Sequence, residues 1–264
     1  MTSHPAAEYA AGETIGGILG SGDTRQHFTS LAPSYARLRG GDFSSLTAAL
    51  VREADLAGRR VLDVGCGTGR LLRELVDRYE VKPVGLDRSS EMVREARQLL
   101  GRAAELYVGA AEAMPVPTAS VERAVMTMVA HLLDRPAAFR EIHRVLTPGG
   151  RLAVTSTDPD AVNGFWMAPL FARSVEIDRQ RFPTAESLLA DLTAARFGAT
   201  RLVPFEMERV FDRETALAKL RGRAYSTFAF MSDDEYAEGL ARAERKLPDR
   251  IAYTLRILMA VGDA

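Results

Sequence analysis

Residues 61–70 read Val61-Leu62-Asp63-Val64-Gly65-Cys66-Gly67-Thr68-Gly69-Arg70. The aliphatic run has the composition of a buried strand, and three glycines at alternate positions after it let the backbone turn sharply into a helix. Such a loop lets a ligand lie within van der Waals distance of the main chain, while the helix start behind it offers unpaired N–H groups. Two common occupants fail the spacing. The dinucleotide fingerprint G-x-G-x-x-G needs a glycine at 70 or, two residues further on, at 72, and the chain has Arg70 and Leu72. A phosphate-binding P-loop needs Lys-Ser or Lys-Thr after its last glycine, where Arg70-Leu71 stand.

The next apolar run ends on an acid, Val84-Gly85-Leu86-Asp87. In an open α/β sheet ligands bind at the carboxyl ends of the strands, so Asp87 and the glycine loop converge on one crevice. An acceptor-only carboxylate there can take both hydroxyl protons of a ribose. The pair reads as a nucleoside site without a pyrophosphate. The glycine loop by itself also fits a tight turn that holds nothing.

From residue 60 onward, short apolar runs alternate with amphipathic helical patterns, as in a parallel sheet covered by helices on both faces. Strands are predicted at 61–64, 83–86, 105–108, 124–128 and 152–155. Between them, 70–78 and 90–100 place Leu71, Leu72, Leu75 and Met92, Ala96, Leu99, Leu100 at helical spacings. Pro136 suits the first turn of a helix over 137–146, which Thr147-Pro148-Gly149-Gly150 ends as a turn. Further on, helices are predicted over 184–197, within 212–231, and over 232–245, the last opened by the capping-box spacing Ser232-Asp233-Asp234-Glu235. Strands at 201–205 and 250–261 complete the pattern.

The 264-residue chain carries 34 Lys and Arg against 35 Asp and Glu, a formal charge of −1, so it has no overall basic field for nucleic acid or anionic lipid. With 47% hydrophobic residues it can bury a core, yet no run approaches the roughly 20 apolar residues of a membrane span. The single cysteine, Cys66, can form neither an intramolecular disulfide nor a multi-cysteine metal site. His4, His27, His131 and His143 lack ligand spacing, so no metal is expected, and a reducing cytoplasm fits. Residues 1–22, rich in Ala and Gly and containing Glu8 and Glu13, lack the regions of a signal peptide and read as a flexible leader. Residues 23–264 read as a single domain with its core over 55–160.

Four blocks, taken together, resemble the class I S-adenosylmethionine (SAM)-dependent methyltransferases, particularly the small-molecule branch of quinone C-methyltransferases and trans-aconitate O-methyltransferases. They are residues 61–70, residues 84–92 (VGLDRSSEM), residues 109–115 (GAAEAMP), and residues 124–154 with Arg144-Val145-Leu146-Thr147-Pro148-Gly149-Gly150. The resemblance covers roughly residues 25–160. It implies an α/β, Rossmann-like, seven-stranded and mostly parallel sheet with helices on both faces, a small helical lid insertion, and an antiparallel last strand over 250–261. It also implies SAM as cofactor and S-adenosylhomocysteine as product.

Carried over by residue, the resemblance implies that the backbone of Gly65, Cys66 and Gly67, in the motif that Gly69 completes, lines the methionine and ribose. Asp63 would lie near the methionine amino end and Asp87 on the ribose diol. Met92 or Arg88 would cover the adenine, Ala111 and Glu112 would border its edge, and the strand end at Thr127 and Met128 would face the sulfonium. Tyr35 matches a tyrosine that many relatives fold over the cofactor. Two positions depart from the pattern: Ala110 stands where relatives usually have aspartate, and Leu132 where they often have the second of two histidines.

His131, just past the fourth strand, is the candidate general base, and a packed or helix-capping histidine is the competing reading. Cys66 reads as a small lining residue rather than a nucleophile. Phe165-Trp166-Met167 and the aromatic cluster over 225–231 either wall a pocket for an apolar or aromatic acceptor or simply pack the core. Segments of about 158–183 and 212–249 are expected to form the lid. The near-zero charge favours a small-molecule acceptor over RNA. A SAM-binding protein of cyclase or regulatory type is the alternative to methyl transfer, and an RNA methyltransferase ranks behind it. Monomer and homodimer fit the sequence equally.

Overall fold

The computed structural model describes Leu31, Ser34, Tyr35, Arg37, Leu38 and residues 41–264; the leader expected over 1–22 lies outside the described residues. Among them, one sheet holds seven strands: β1 (Arg60–Val64), β2 (Lys82–Asp87), β3 (Glu105–Val108), β4 (Val121–Thr127), β5 (Leu146–Thr157), β6 (Gly198–Asp212) and β7 (Arg250–Asp263). Their order is β3-β2-β1-β4-β5-β7-β6; β1 to β5 are parallel, and β7 runs antiparallel to both neighbours. The chain starts at β1, moves outward to β3, and returns to β4 on the other side of β1. That reversal opens a crevice at the carboxyl ends of β1 and β4.

Burial on both faces explains why the central strands read as continuous apolar runs. On one face, Phe139 and Ile142 of α4 (Arg135–Val145) and Leu188 and Leu192 of α6 (Ala185–Ala194) pack with Leu62 and Val64. On the other, Leu46 and Leu50 of α1 (Ser44–Ala54) and Leu72 and Leu75 of α2 (Arg70–Tyr79) pack with Val61 and Val125. Helix α3 (Ser90–Leu100) is capped by Ser89, whose hydroxyl accepts from the Met92 amide. Asp134 caps α4 and Thr184 caps α6 in the same way, each satisfying an orphan donor of the first turn.

Three expectations are corrected. The predicted turn at 147–150 is strand: α4 stops at Val145 and β5 begins at Leu146. A register shift opposite β4 and the left-handed Gly149 (φ 76°) absorb Pro148 as an irregularity. The chain's last residue completes the ladder, with Gly149 N donating to Ala264 O at 2.9 Å and Ala264 N to Gly150 O at 2.8 Å. Strand β4 ends at Thr127, one residue early, because Met128 turns left-handed (φ 59°). The strand expected at 201–205 is the fifteen-residue β6, paired with β7 from Arg201↔Val261 to Asp212↔Arg250.

Strand β5 pairs with β7 only from Asp263 back to Ile257. The remainder of β6 and β7 therefore projects past the sheet as a two-stranded ribbon, and the two segments expected as the lid pack on it. Trp166 and Phe171 from one lid segment, Leu217, Leu220, Phe228 and Tyr236 from the other, and Ile251 of the ribbon share one hydrophobic cluster. This cluster joins α7 (Arg213–Arg221) and α8 (Asp233–Lys246), the latter opened by a complete Ser232/Glu235 capping box. Gly239 of α8 is required here, since a Cβ would clash with the Phe171 ring. Leu31 and Leu38 pack with Ala224 and Tyr225, tying the segment before α1 to the lid.

Candidate ligand-binding site

The glycine loop is fixed to the end of β2 by a series of backbone donors. Gly65 N and Cys66 N both donate to Leu86 O, at 2.7 and 3.0 Å, and Gly67 N donates to Asp87 Oδ2 at 2.9 Å. Gly65, Gly67 and Gly69 all have positive φ, which glycine adopts without strain. A Cβ on Gly65 would lie 2.8 Å from Val129 Cγ1, so this turn also needs the absent side chain for space.

A cavity of about 260 Å³ opens over this loop. Of the residues expected to hold a cofactor, Asp63, Gly65, Cys66, Gly67, Asp87 and Arg88 line it from β1, the loop and β2. Met92 and Ala111, both buried, and Glu112 line it from the side of β3, Thr127 and Met128 from the end of β4, and Tyr35 from above. Gly69 does not line it. As the N-terminal cap of α2 it faces α3 instead, where a Cβ would lie 2.9 Å from Leu100 Cδ1. Ala110 forms an isolated bridge with Ala113, so backbone shapes the turn where relatives usually place an aspartate.

Two carboxylates dominate the cavity's electrostatics. Asp63 is 2% exposed, and burial, with Asp87 adding to it, pushes its carboxyl up to about 7. Burial also raises Asp87, against the lowering effect of the Ser89 and Gly67 amides that it accepts. Among the described residues neither acid has an ion pair, and Thr127 Oγ1 is buried without a hydrogen-bond partner. A cavity built this way suits a ligand that brings a cation and hydroxyl donors, because a buried unpaired charge is costly until something compensates it. Burial and both acids push the Cys66 thiol well above the ordinary range, away from the thiolate that a nucleophile needs.

His131 lies outside that cavity. It lines a second one of about 100 Å³, which shares Tyr35, Phe43 and Met128 with the first, so the two meet at those residues. The His131 ring packs edge-on against Phe182 at 4.5 Å, with Nε2 3.4 Å from Ser226 Oγ. Of the aromatic residues expected as pocket wall, Phe165 and Tyr225 line this second cavity, whereas Trp166 and Phe228 are core. Sequence reasoning missed Phe43 and Thr47, which line the first cavity from the start of α1; the helical spacing of Leu46 and Leu50 was the available signal. It also missed Asp178, Phe182 and Ser226, which carry no local motif.

The fold and the glycine loop define a Rossmann-like α/β domain with a ligand cavity at the carboxyl ends of its strands. Residues 61–150 match the family described as methyltransferase domain. O-methyltransferase cnsE of Penicillium expansum is 33% identical over 153 residues, 56% of this chain and 55% of that protein. The ubiquinone/menaquinone biosynthesis C-methyltransferase UbiE of Syntrophotalea carbinolica is 35% identical over 143 residues, 50% of this chain and 60% of that one. The chain thus spans about half the length of the relatives it matches. The crystal structure of the YcgJ protein of Bacillus subtilis superposes with a TM-score of 0.61 at 20% identity, covering 83% of this chain and 98% of that one. No helix among the described residues is long and apolar enough to cross a membrane.

Proposed function

We propose that this protein is a SAM-dependent methyltransferase acting on a small-molecule acceptor, with the first cavity holding the cofactor and the second the acceptor. The observation that carries this reading is the pairing of buried Asp63 with partly buried Asp87, neither in an ion pair among the described residues, beside a glycine loop whose backbone frames the cavity. Asp63 is the partner for the cofactor's ammonium group. Asp87 keeps acceptor capacity for the ribose diol after its two backbone bonds, since each carboxylate oxygen accepts more than once. Bound there, SAM would supply a methyl group activated on a sulfonium, whose leaving group is a neutral thioether that keeps the electron pair of the S–C bond.

The chain's contribution is alignment. Met128, Tyr35 and Phe43 stand where the cavities meet, so an acceptor in the second cavity approaches across them. Holding two reactants in line is worth about 7–11 kcal/mol of barrier, more than the roughly 10²–10⁴-fold from a general base. His131 is assigned the acceptor's proton as the new bond to carbon forms, because its imidazole stands on the second cavity's wall. The aromatic walls Phe165, Phe182 and Tyr225 support an apolar or aromatic acceptor, and the domain is read as a single unit working in the cytoplasm. Calorimetric titration with SAM and with S-adenosylhomocysteine tests the reading. Binding of both is expected, and failure of both to bind at sub-millimolar concentration overturns it.

A further inference from the structure

Asp178, on α5 (Ser174–Arg181), is 6% exposed, yet it lines the second cavity. Its Oδ1 is engaged: the Thr227 hydroxyl donates to it at 2.8 Å, and the Arg181 guanidinium stands 3.6 Å away. Its Oδ2 accepts no hydrogen bond among the described residues. Arg181 is itself buried. It sits over the Phe230 ring at 4.2 Å and donates through Nη2 to Ser226 Oγ at 2.9 Å. The guanidinium is thus fixed by three neighbours and compensates the charge of Asp178 without hydrogen-bonding its second oxygen.

Around this acid the cavity wall carries several rings, beside the cations Arg209 and Lys219. Phe165 meets Tyr225 and Tyr253 edge-on at 5.4 and 5.3 Å, and Phe211 meets Tyr253 at 6.1 Å. Such edge-to-face networks hold ring walls in place and offer flat, apolar surface to another ring. An acceptor oxygen that opens into such a cavity without a protein partner is available to a donor on a bound ring.

We propose that the second cavity binds a ring-bearing acceptor through a hydroxyl or amine hydrogen on that ring, donated to Asp178 Oδ2. This deepens the acceptor reading above and rests on it for the ligand's role as acceptor, though not for binding itself. Asp178 becomes the specificity-determining residue. Arg181 and Thr227 act through it, keeping it charged and oriented, and burial, the largest influence on both Asp178 and Arg181, moves each toward its neutral form against that pairing.

The experiment uses the full chain and two fluorinated rings, 4-fluorophenol and 4-fluoroanisole, titrated by ¹⁹F NMR without cofactor. The two differ by whether the ring oxygen can donate. Wild type is expected to bind the phenol at least tenfold more tightly than the anisole. Asp178→Asn removes the charge but strands Arg181, so the paired variant Asp178→Asn/Arg181→Gln is measured beside it, with thermal unfolding confirming the fold. In the paired variant the phenol's advantage is expected to fall below threefold. Equal binding of the two rings by wild type, binding of neither, or an advantage that survives in the paired variant overturns the proposal. Because neither cofactor nor methyl transfer enters the measurement, a failure of SAM to bind would leave this result standing, and the reverse.

Discussion

Asp87 Oδ2 accepts the Gly67 amide at 2.9 Å while its Oδ1 accepts the Ser89 amide at 2.9 Å, so one carboxylate joins the glycine loop to the start of α3. The acid is therefore structural before any ligand arrives. Asp87→Ala removes both bonds and leaves two amides unpaired at a partly buried site, a cost of about 1–3 kcal/mol each at most. The expected outcome is a lower melting temperature together with at least tenfold weaker S-adenosylhomocysteine binding by calorimetry. An unchanged affinity in a folded variant would refute the diol assignment.

Gly65 and Gly149 share the same left-handed φ of 76°, but a Cβ at Gly149 would meet nothing within 4 Å whereas one at Gly65 would meet Val129. Alanine at Gly149 should cost only the backbone strain, about 1–2 kcal/mol. Alanine at Gly65 should cost more, because the Val129 side chain must also move, and it should weaken ligand binding in the first cavity. Chemical denaturation of both variants checks the ranking, and equal losses would show that conformation alone matters at Gly65.

Ser232 accepts from the Glu235 amide at 3.2 Å, and the Glu235 carboxylate accepts back from Ser232 N at 2.8 Å. The same carboxylate pairs with Arg173 across the lid, 2.9 Å away, linking the cap of α8 to the other lid segment. Ser232→Ala should destabilise the chain by about 1 kcal/mol through loss of the cap. Glu235→Gln keeps a capping group but loses the ion pair, which is half exposed and so worth under about 1 kcal/mol. Hydrogen exchange across residues 233–246 should rise more in the serine variant than in the glutamine one.

The parts of the site that sit at strand ends were legible in the sequence. Asp63, the glycine loop and Asp87 follow directly from apolar runs whose period and termini are local, and strand order then brings them together. The strand at 146–150 was hidden because its partners include Ala264, which no local pattern connects to Thr147-Pro148-Gly149-Gly150. The second cavity was hidden for the same reason on a larger scale. His131 meets Ser226 across 95 residues and Thr227 meets Asp178 across 49, and isolated polar residues at such separations carry no periodic signal. The lid's helices were readable, but the ribbon that positions them depends on β6 and β7 pairing beyond the sheet.

His131 lines only the second cavity, so its replacement should separate chemistry from cofactor binding. His131→Gln is expected to leave S-adenosylhomocysteine affinity within twofold of wild type and to lower kcat for methyl transfer by about 10²–10⁴, the range for a lost general base. A kcat loss below tenfold would assign the ring to packing against Phe182.

The acid in the first cavity makes a pH prediction whose sign is opposite to the usual carboxylate case. The unfolded chain releases the Asp63 proton near 3.8, whereas the folded chain keeps it up to about 7. Between those values the folded state binds the extra proton, so this group's contribution to stability falls as pH rises through the window. Asp63→Asn has no proton to lose, and its melting temperature should gain on wild type steadily from pH 4 to pH 7. A ligand ammonium placed against Asp63 favours the charged form and expels the proton. At pH 6, S-adenosylhomocysteine binding should therefore release a proton, seen as a heat that differs between buffers of unequal ionisation enthalpy. At pH 8.5 this contribution should vanish, and in Asp63→Asn it should be absent at both values. Heats that do not depend on the buffer at pH 6 would remove Asp63 from the ammonium site and pass that role to the other acids lining the cavity, Asp87, Glu74 and Glu112.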